Sequence, residues 1–135
     1  MSAQTLRVPW KLSSGREARR VLVSALRALE VDGTVVDEAE IVVSELVGNA
    51  VRHARPLPDG TIRVSWTVRA GVVEVEVTDG GGPTIPRPAP RSLLSVNGRG
   101  LRIVRGLAHE WGVHEDHGGR TVWVSLGGPS RRRSQ

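Results

Sequence analysis

Residues 61 to 78 constrain the fold more than any other stretch. "TIRVSWTVR" and "VVEVEVT" alternate apolar and polar residues with a period of two, around a short Ala70–Gly71 turn. Ile62, Val64, Trp66, Val68, Val73, Val75 and Val77 share one face, and Arg63, Arg69, Glu74 and Glu76 share the other. That period belongs to an antiparallel hairpin with a core face and a wet face, on which opposite charges can meet. The apolar face needs a second layer to cover it.

Two upstream segments supply that layer. Ser14 with Glu17 three residues later reads as a capping box, opening a helix to about Glu30. Ala18, Val21, Leu22, Ala25, Leu26 and Leu29 form its apolar stripe. Gly33 breaks it, and Thr34 with Asp37 starts a second helix that runs to about Ala54. Ahead of both, "TLRVPW" alternates Leu6, Val8 and Trp10 and reads as a strand. After the hairpin come nineteen residues, Asp79 to Asn97, with three Gly and four Pro, a length that marks a functional or disordered segment. "GRGLRIVRGLAHE" then resumes a helix. "WGVHE" and "RTVWVSL", joined by Asp116 to Gly119, make a last hairpin. The order β, α, α, β, β, loop, α, β, β predicts an α+β fold. It would be a two-layer α/β sandwich with a mixed, mostly antiparallel sheet and three helices on one face. Residues 1–127 read as one domain and residues 128–135 as an Arg-rich, disordered tail.

Composition narrows the class. The 135 residues are 39% apolar with no Phe or Tyr, so Val, Leu, Ile and Ala must fill the core. Without Cys there is neither a disulfide framework nor a thiolate metal site. No run approaches the roughly 18 apolar residues of a membrane span, and "MSAQTLRVPW" lacks a signal-peptide core, so the expectation is a cytoplasmic protein without membrane association. The formal charge of +5 comes almost wholly from Arg, Lys11 being the only Lys. These arginines are scattered over helices and strands without a nucleic-acid-binding motif, so no direct nucleic-acid contact is expected. His114 and His117, with His109 nearby, lack the further ligands of a zinc site.

Three polar segments exceed what packing requires. In "SELVGNAVRHA", Glu45, Asn49 and His53 follow at steps of four along one helical edge, beside a costly Gly48. An Asn oxygen is a hard ligand suited to Mg²⁺, and a Glu one turn earlier is placed to act as a general base. In "VEVTDGGGP" a strand ends in Asp79 and enters Gly80, Gly81 and Gly82. A carboxylate there can accept from an exocyclic amine, while glycines let a flat ring approach the backbone. In "NGRGLRIV" two glycines flank Arg99 at a helix start, an arrangement that offers N–H groups to phosphate.

Order and spacing bind the three together. Glu45-x₃-Asn49, then Asp79-x-Gly81, then Gly98-x-Gly100-Leu101, with "GGRTVW" at residues 118–123, resembles the N, G1 and G2 boxes and the final Gly-x-Thr of the GHKL ATPase superfamily. "VVSELVGNAVRHA" is similar to the anti-sigma-factor serine/threonine kinase branch, and the resemblance spans about Leu6 to Leu126. It implies a Bergerat-type fold that takes ATP and Mg²⁺. By resemblance Glu45 is the catalytic base and Asn49 holds the metal. Asp79 would meet the adenine amine with Gly81 beneath the ring, Gly98, Gly100 and Leu101 would border the phosphates, and Thr121 would support adenine recognition. The segment from Gly80 to Asn97 would be the ATP lid. Pro83 stands where the broader Asp-x-Gly-x-Gly pattern has its second glycine. The implied partners are a sigma factor and an anti-sigma-factor antagonist, which such kinases phosphorylate on serine or threonine. A homodimer is also implied, and Arg19 or Arg20 corresponds to a partner-contacting arginine. The competing expectation is a non-catalytic interaction module, with or without ATP, that only sequesters a partner.

Overall fold

A computed structural model describes residues 1–82 and 106–130. Its elements run β1 (Ser2–Pro9), α1 (Ser14–Ala28), α2 (Gly33–His53), β2 (Thr61–Arg69), β3 (Val72–Asp79), β4 (Glu110–Asp116) and β5 (Gly119–Leu126). The strands form one sheet in the order β1-β2-β3-β5-β4. Of the expected third helix, residues 98–105 lie outside the described residues, and Gly106 and Leu107 are helical.

Every strand pairing among the described residues is antiparallel, which corrects the expectation of a mixed sheet. The connections explain why. The two helices make an out-and-back excursion, so the chain returns to the sheet with Thr61 beside Pro9, and β2 runs opposite to β1. β4 runs in the same direction as β3, but β5 sits between them and no parallel pair forms. Ala70 (φ 51°) and Gly71 (φ 80°) both take left-handed backbone, the requirement of a tight hairpin turn between β2 and β3.

The helix starts differ from the expected ones. Ser13 is the N-cap of α1 and makes no side-chain cap bond. Ser14, which the capping-box reading placed there, is buried, and its hydroxyl instead donates to the Pro9 carbonyl, tying the end of β1 to the helix. The cap of α2 is Asp32, whose carboxylate accepts from the Thr34 N–H at 3.1 Å; Thr34 is already inside the helix. Ala18, Leu22 and Leu26 form the buried line of α1, while Val21 and Leu29, at the stripe's margins, are exposed.

α1 packs on α2 and reaches the sheet at β1, while α2 packs against both α1 and the strands β3 and β5. It therefore buries a broader face: Val35, Val36, Ala39, Val42, Val43, Leu46, Val47 and Ala50. Ile62, Val64, Trp66, Val73, Val75 and Val77 meet them from the strands, as the alternation requires. The other face of the sheet is drier than expected. Glu74 is only 5% exposed because the chain folds back after β5: Ser130 donates its hydroxyl to Glu74 (3.0 Å) and its N–H to Glu110 (2.6 Å). The register also sets Arg63 opposite Thr78 and Glu76 opposite Ser65, so the charges expected to face one another are offset.

Candidate functional site

At the C-terminal end of α2 the helix stands over the ends of β3 and β5. Leu46, Asn49, Ala50 and His53, spaced three and four apart, present one edge downward. Val77, Asp79, Arg120 and Val122 form the floor, and the eight residues line one cavity. Asp79 and Arg120 are cross-strand partners on the face that carries Val75, Val77, Val122 and Val124. The cavity encloses about 20 Å³ of solvent-accessible space, room for about one water.

The polar groups around it are unusual. Asp79 is 4% exposed, and its Oδ1 accepts from the Gly81 N–H at 2.7 Å. Burial pushes its carboxyl above the ordinary value, outweighing the Gly81 hydrogen bond and the Arg120 charge, which pull it down; Glu115 adds to the rise. Arg120 is 3% exposed, and its Nε approaches Glu115 at 3.4 Å. Asn49 Nδ2, His53 Nε2 and Arg120 Nη2 are all buried without a hydrogen-bond partner among the described residues. A buried polar atom left without a hydrogen bond costs about 1–3 kcal/mol, so three around one cavity mark a place built to be completed by a polar ligand.

Glycines let three backbone segments meet beneath this cavity. The Gly80 N–H donates to the Arg55 carbonyl (2.7 Å) and the Arg55 N–H to the Gly81 carbonyl (2.9 Å). A Cβ on Gly80 would collide with the Pro56 carbonyl. Gly119, at φ 135°, passes so close to Asp79 that a Cβ would overlap the Asp79 carbonyl.

Asn49 and Asp79, singled out in the sequence, therefore share one cavity, with Gly81 adjoining through its bond to Asp79. His53, four residues further along the same helical edge, lines it too. Glu45 sits one turn before Asn49, partly buried and outside the lining. The Thr121 hydroxyl pairs with that of Thr78 at 2.7 Å, on the sheet face turned away from the helices. Gly98, Gly100, Leu101 and the expected lid from position 83 onward lie outside the described residues. Arg120 was missed. Its signal was the alternation of β5, which puts an arginine in line with Val122, Val124 and Leu126.

Residues 8–126 match the histidine kinase-like ATPase domain. The chain belongs to that family. Among solved structures, this histidine kinase-like ATPase domain is similar to the structure of the RsbU and RsbW domains of Rv1364c from Mycobacterium tuberculosis. The TM-score is 0.70 at 21% identity, over 96% of this chain and 34% of that one. It is also similar to the blue-light activated histidine kinase EL346 of Erythrobacter litoralis, with a TM-score of 0.53 at 20% identity over 95% of this chain and 44% of that one. The domain thus spans less than half of either chain. No match was found among curated protein sequences. No helix among the described residues is long and apolar enough to cross a membrane.

Proposed function

We propose that this domain is an ATP- and Mg²⁺-dependent anti-sigma-factor regulator that phosphorylates a serine or threonine of an anti-sigma-factor antagonist in the cytoplasm. The observation that carries the reading is the convergence of Asn49 Nδ2, His53 Nε2 and Arg120 Nη2, three buried atoms without a partner among the described residues, on the cavity that holds the Asp79 carboxylate. Family membership makes an adenine nucleotide the ligand class to test first. The resemblance of "VVSELVGNAVRHA" to the anti-sigma-factor kinase branch supports the anti-sigma context, and the fold is that shared with the RsbU–RsbW structure.

The residues present fit the ligand. Asp79 is an acceptor at the end of a strand with glycine backbone beside it, suited to a planar base carrying an amine. Asn49 supplies a hard oxygen donor one helical turn from a carboxylate, and Mg²⁺ characteristically takes few protein ligands and completes its shell with water and phosphate. Bound Mg²⁺ would neutralise charge on the phosphates. Glu45 would take the proton of the attacking hydroxyl as its oxygen bonds to the γ-phosphorus and ADP departs. Gly98, Gly100 and Leu101 would border the phosphates, and Thr121 would support the adenine site indirectly, by pairing with Thr78 and holding β5 on β3. Phosphoryl transfer depends chiefly on positioning and electrostatics, so these few groups suffice. Arg16, Arg19, Arg20 and Arg27 line a groove on α1, which suits an acidic protein partner such as the sigma factor or the antagonist; a homodimer belongs to the same reading.

One observation favours a second reading. The cavity holds about one water while the Arg120 side chain lies in it, as a module that binds partners without turning over nucleotide would have it. Calorimetric titration with ATP, with and without Mg²⁺, separates the two. Saturable, metal-assisted binding is expected; absence of binding in both conditions would leave the interaction module.

A further inference from the structure

Among the described residues, Arg120 is the one charged group lining the cavity to which the proposed phosphoryl transfer assigns no work. It is 97% buried by its 3% exposure, its Nη2 has no partner among the described residues, and its guanidinium lies 3.8 Å from where a Cβ of Gly81 would stand. Its Nε contact with Glu115, at 3.4 Å, is long for a charge-assisted bond and easily exchanged. Burying an arginine without spending its donors is costly unless something arrives to take them.

We infer that Arg120 reads the ring nitrogen beside the exocyclic amine of a purine, so that Asp79 and Arg120 together recognise an adenine edge. The inference rests on the nucleotide reading above. Asp79 and Arg120 are cross-strand partners on one face, which places an acceptor beside a donor at the spacing of neighbouring strands. Adenine presents the complementary order, an amine donor next to a ring-nitrogen acceptor. Guanine could also meet an Asp–Arg pair, by giving two donors to the carboxylate and its carbonyl to the arginine. Asp79 Oδ1, however, is already engaged by the Gly81 N–H, which favours a ligand that offers the carboxylate a single donor. Thr121 cannot take the reading role from where it stands, since its hydroxyl is paired with Thr78 across the sheet. With space for about one water, the guanidinium has to shift aside as a base enters, exchanging its contact with Glu115 for one with the ring nitrogen.

The test is calorimetric titration of the full chain with ATP, 1-deaza-ATP, 7-deaza-ATP and GTP, repeated on Arg120→Met and Arg120→Gln. The wild type should bind one of the two deaza analogues about 10- to 100-fold more weakly than ATP, the loss of one charge-assisted hydrogen bond. In Arg120→Met that difference should vanish because ATP falls to the level of the analogue. Arg120→Gln, which keeps a donor, should recover part of it. Deaza analogues that bind the wild type as tightly as ATP would overturn the proposal, and so would a penalty that persists in Arg120→Met. Tighter binding of every nucleotide by Arg120→Met would make Arg120 a plug, and a preference for GTP would make the pair a guanine reader; either overturns it. ATP binding that ignores Arg120 leaves the nucleotide reading standing, whereas no ATP binding by the wild type removes both. If Arg120→Met does not fold, the penalty is read in Arg120→Gln, where a value reduced from the wild type supports the proposal and one as large as the wild type's overturns it.

Discussion

Replacing Asp79 by Asn alters two properties that can be read separately. The first is base recognition. Asp79 Oδ1 is taken by the Gly81 N–H, so the carboxylate has one oxygen to offer an adenine amine. Hydrogen bonds to a charged partner contribute about 1.5–3 kcal/mol, or roughly 10- to 150-fold in Kd. Asparagine can keep the Gly81 bond with its carbonyl oxygen, but then turns an NH₂ toward the amine, donor against donor. ATP affinity should fall within that range while GTP, which lacks the amine at that edge, changes less, narrowing the ATP/GTP preference. The second property is stability against pH. Burial raises the folded-state pKa of Asp79 above its ordinary 3.8. Between 3.8 and the raised value the folded protein keeps a proton that the unfolded chain has lost, so the stability contributed by Asp79 falls as pH climbs through that window and is level above it. The Asn variant lacks this titration. The wild-type-minus-variant difference in unfolding free energy, measured by denaturant titration at successive pH values without ligand, should therefore decline with rising pH and then flatten. A difference that is flat or grows with pH would refute the claim that burial dominates at Asp79. An unchanged ATP/GTP ratio would refute its role in reading the base.

Other perturbations address the remaining roles. Glu45→Ala should leave ATP affinity within about twofold, since Glu45 lies outside the cavity lining, yet abolish phosphoryl transfer to a cognate antagonist in a radiolabel assay; retained transfer removes it as the base. Asn49→Ala should weaken ATP binding in the presence of Mg²⁺ and much less in its absence, and calorimetry showing equal losses in both would exclude a ligand role. Gly119→Ala should destabilise the fold by about 1–3 kcal/mol, because its Cβ would overlap the Asp79 carbonyl at a φ of 135°. An unmoved denaturation midpoint would show that β5 can slide away from Asp79 at no cost.

Much of this architecture could be read from period and punctuation. The β2–β3 hairpin, both amphipathic helices and the final hairpin follow from spacing, because burial on one side imposes the pattern residue by residue. Sheet order was harder: alternation says which residues face inward and says nothing about which strand lies beside which, so the insertion of β5 between β3 and β4 was invisible. Helix caps failed for a related reason. Ser14 has a capping residue's chemistry, but the nearby Pro9 carbonyl captures its hydroxyl, a competition settled in three dimensions. The site shows the same division. Asn49 and Asp79 were legible because their chemistry is out of place on a packed helix edge and at a strand end. Arg120 was hidden by its neighbour Thr121, the more familiar residue, although the alternation of β5 already placed the arginine inward. Glu74 was read as wet because its neighbours are polar, and only the return of the chain to Ser130 covers it.

The cross-strand pairing of Asp79 with Arg120 also governs when the site can exist. α2 can present Asn49 and His53 as soon as the helix forms, and β3 can present Asp79 once its hairpin with β2 closes, both through contacts near in sequence. Arg120 arrives only when β5 docks onto β3 across a long stretch of intervening chain, the kind of non-local pairing that is slow to form. A partly folded chain lacking that docking would have a helix edge and no floor. A ligand that touches both strands thus binds only the completed sheet and stabilises it by mass action, by an amount that grows with the logarithm of its concentration above Kd. Loss of binding on gentle warming, ahead of the loss of helix, would report the β4–β5 hairpin letting go first.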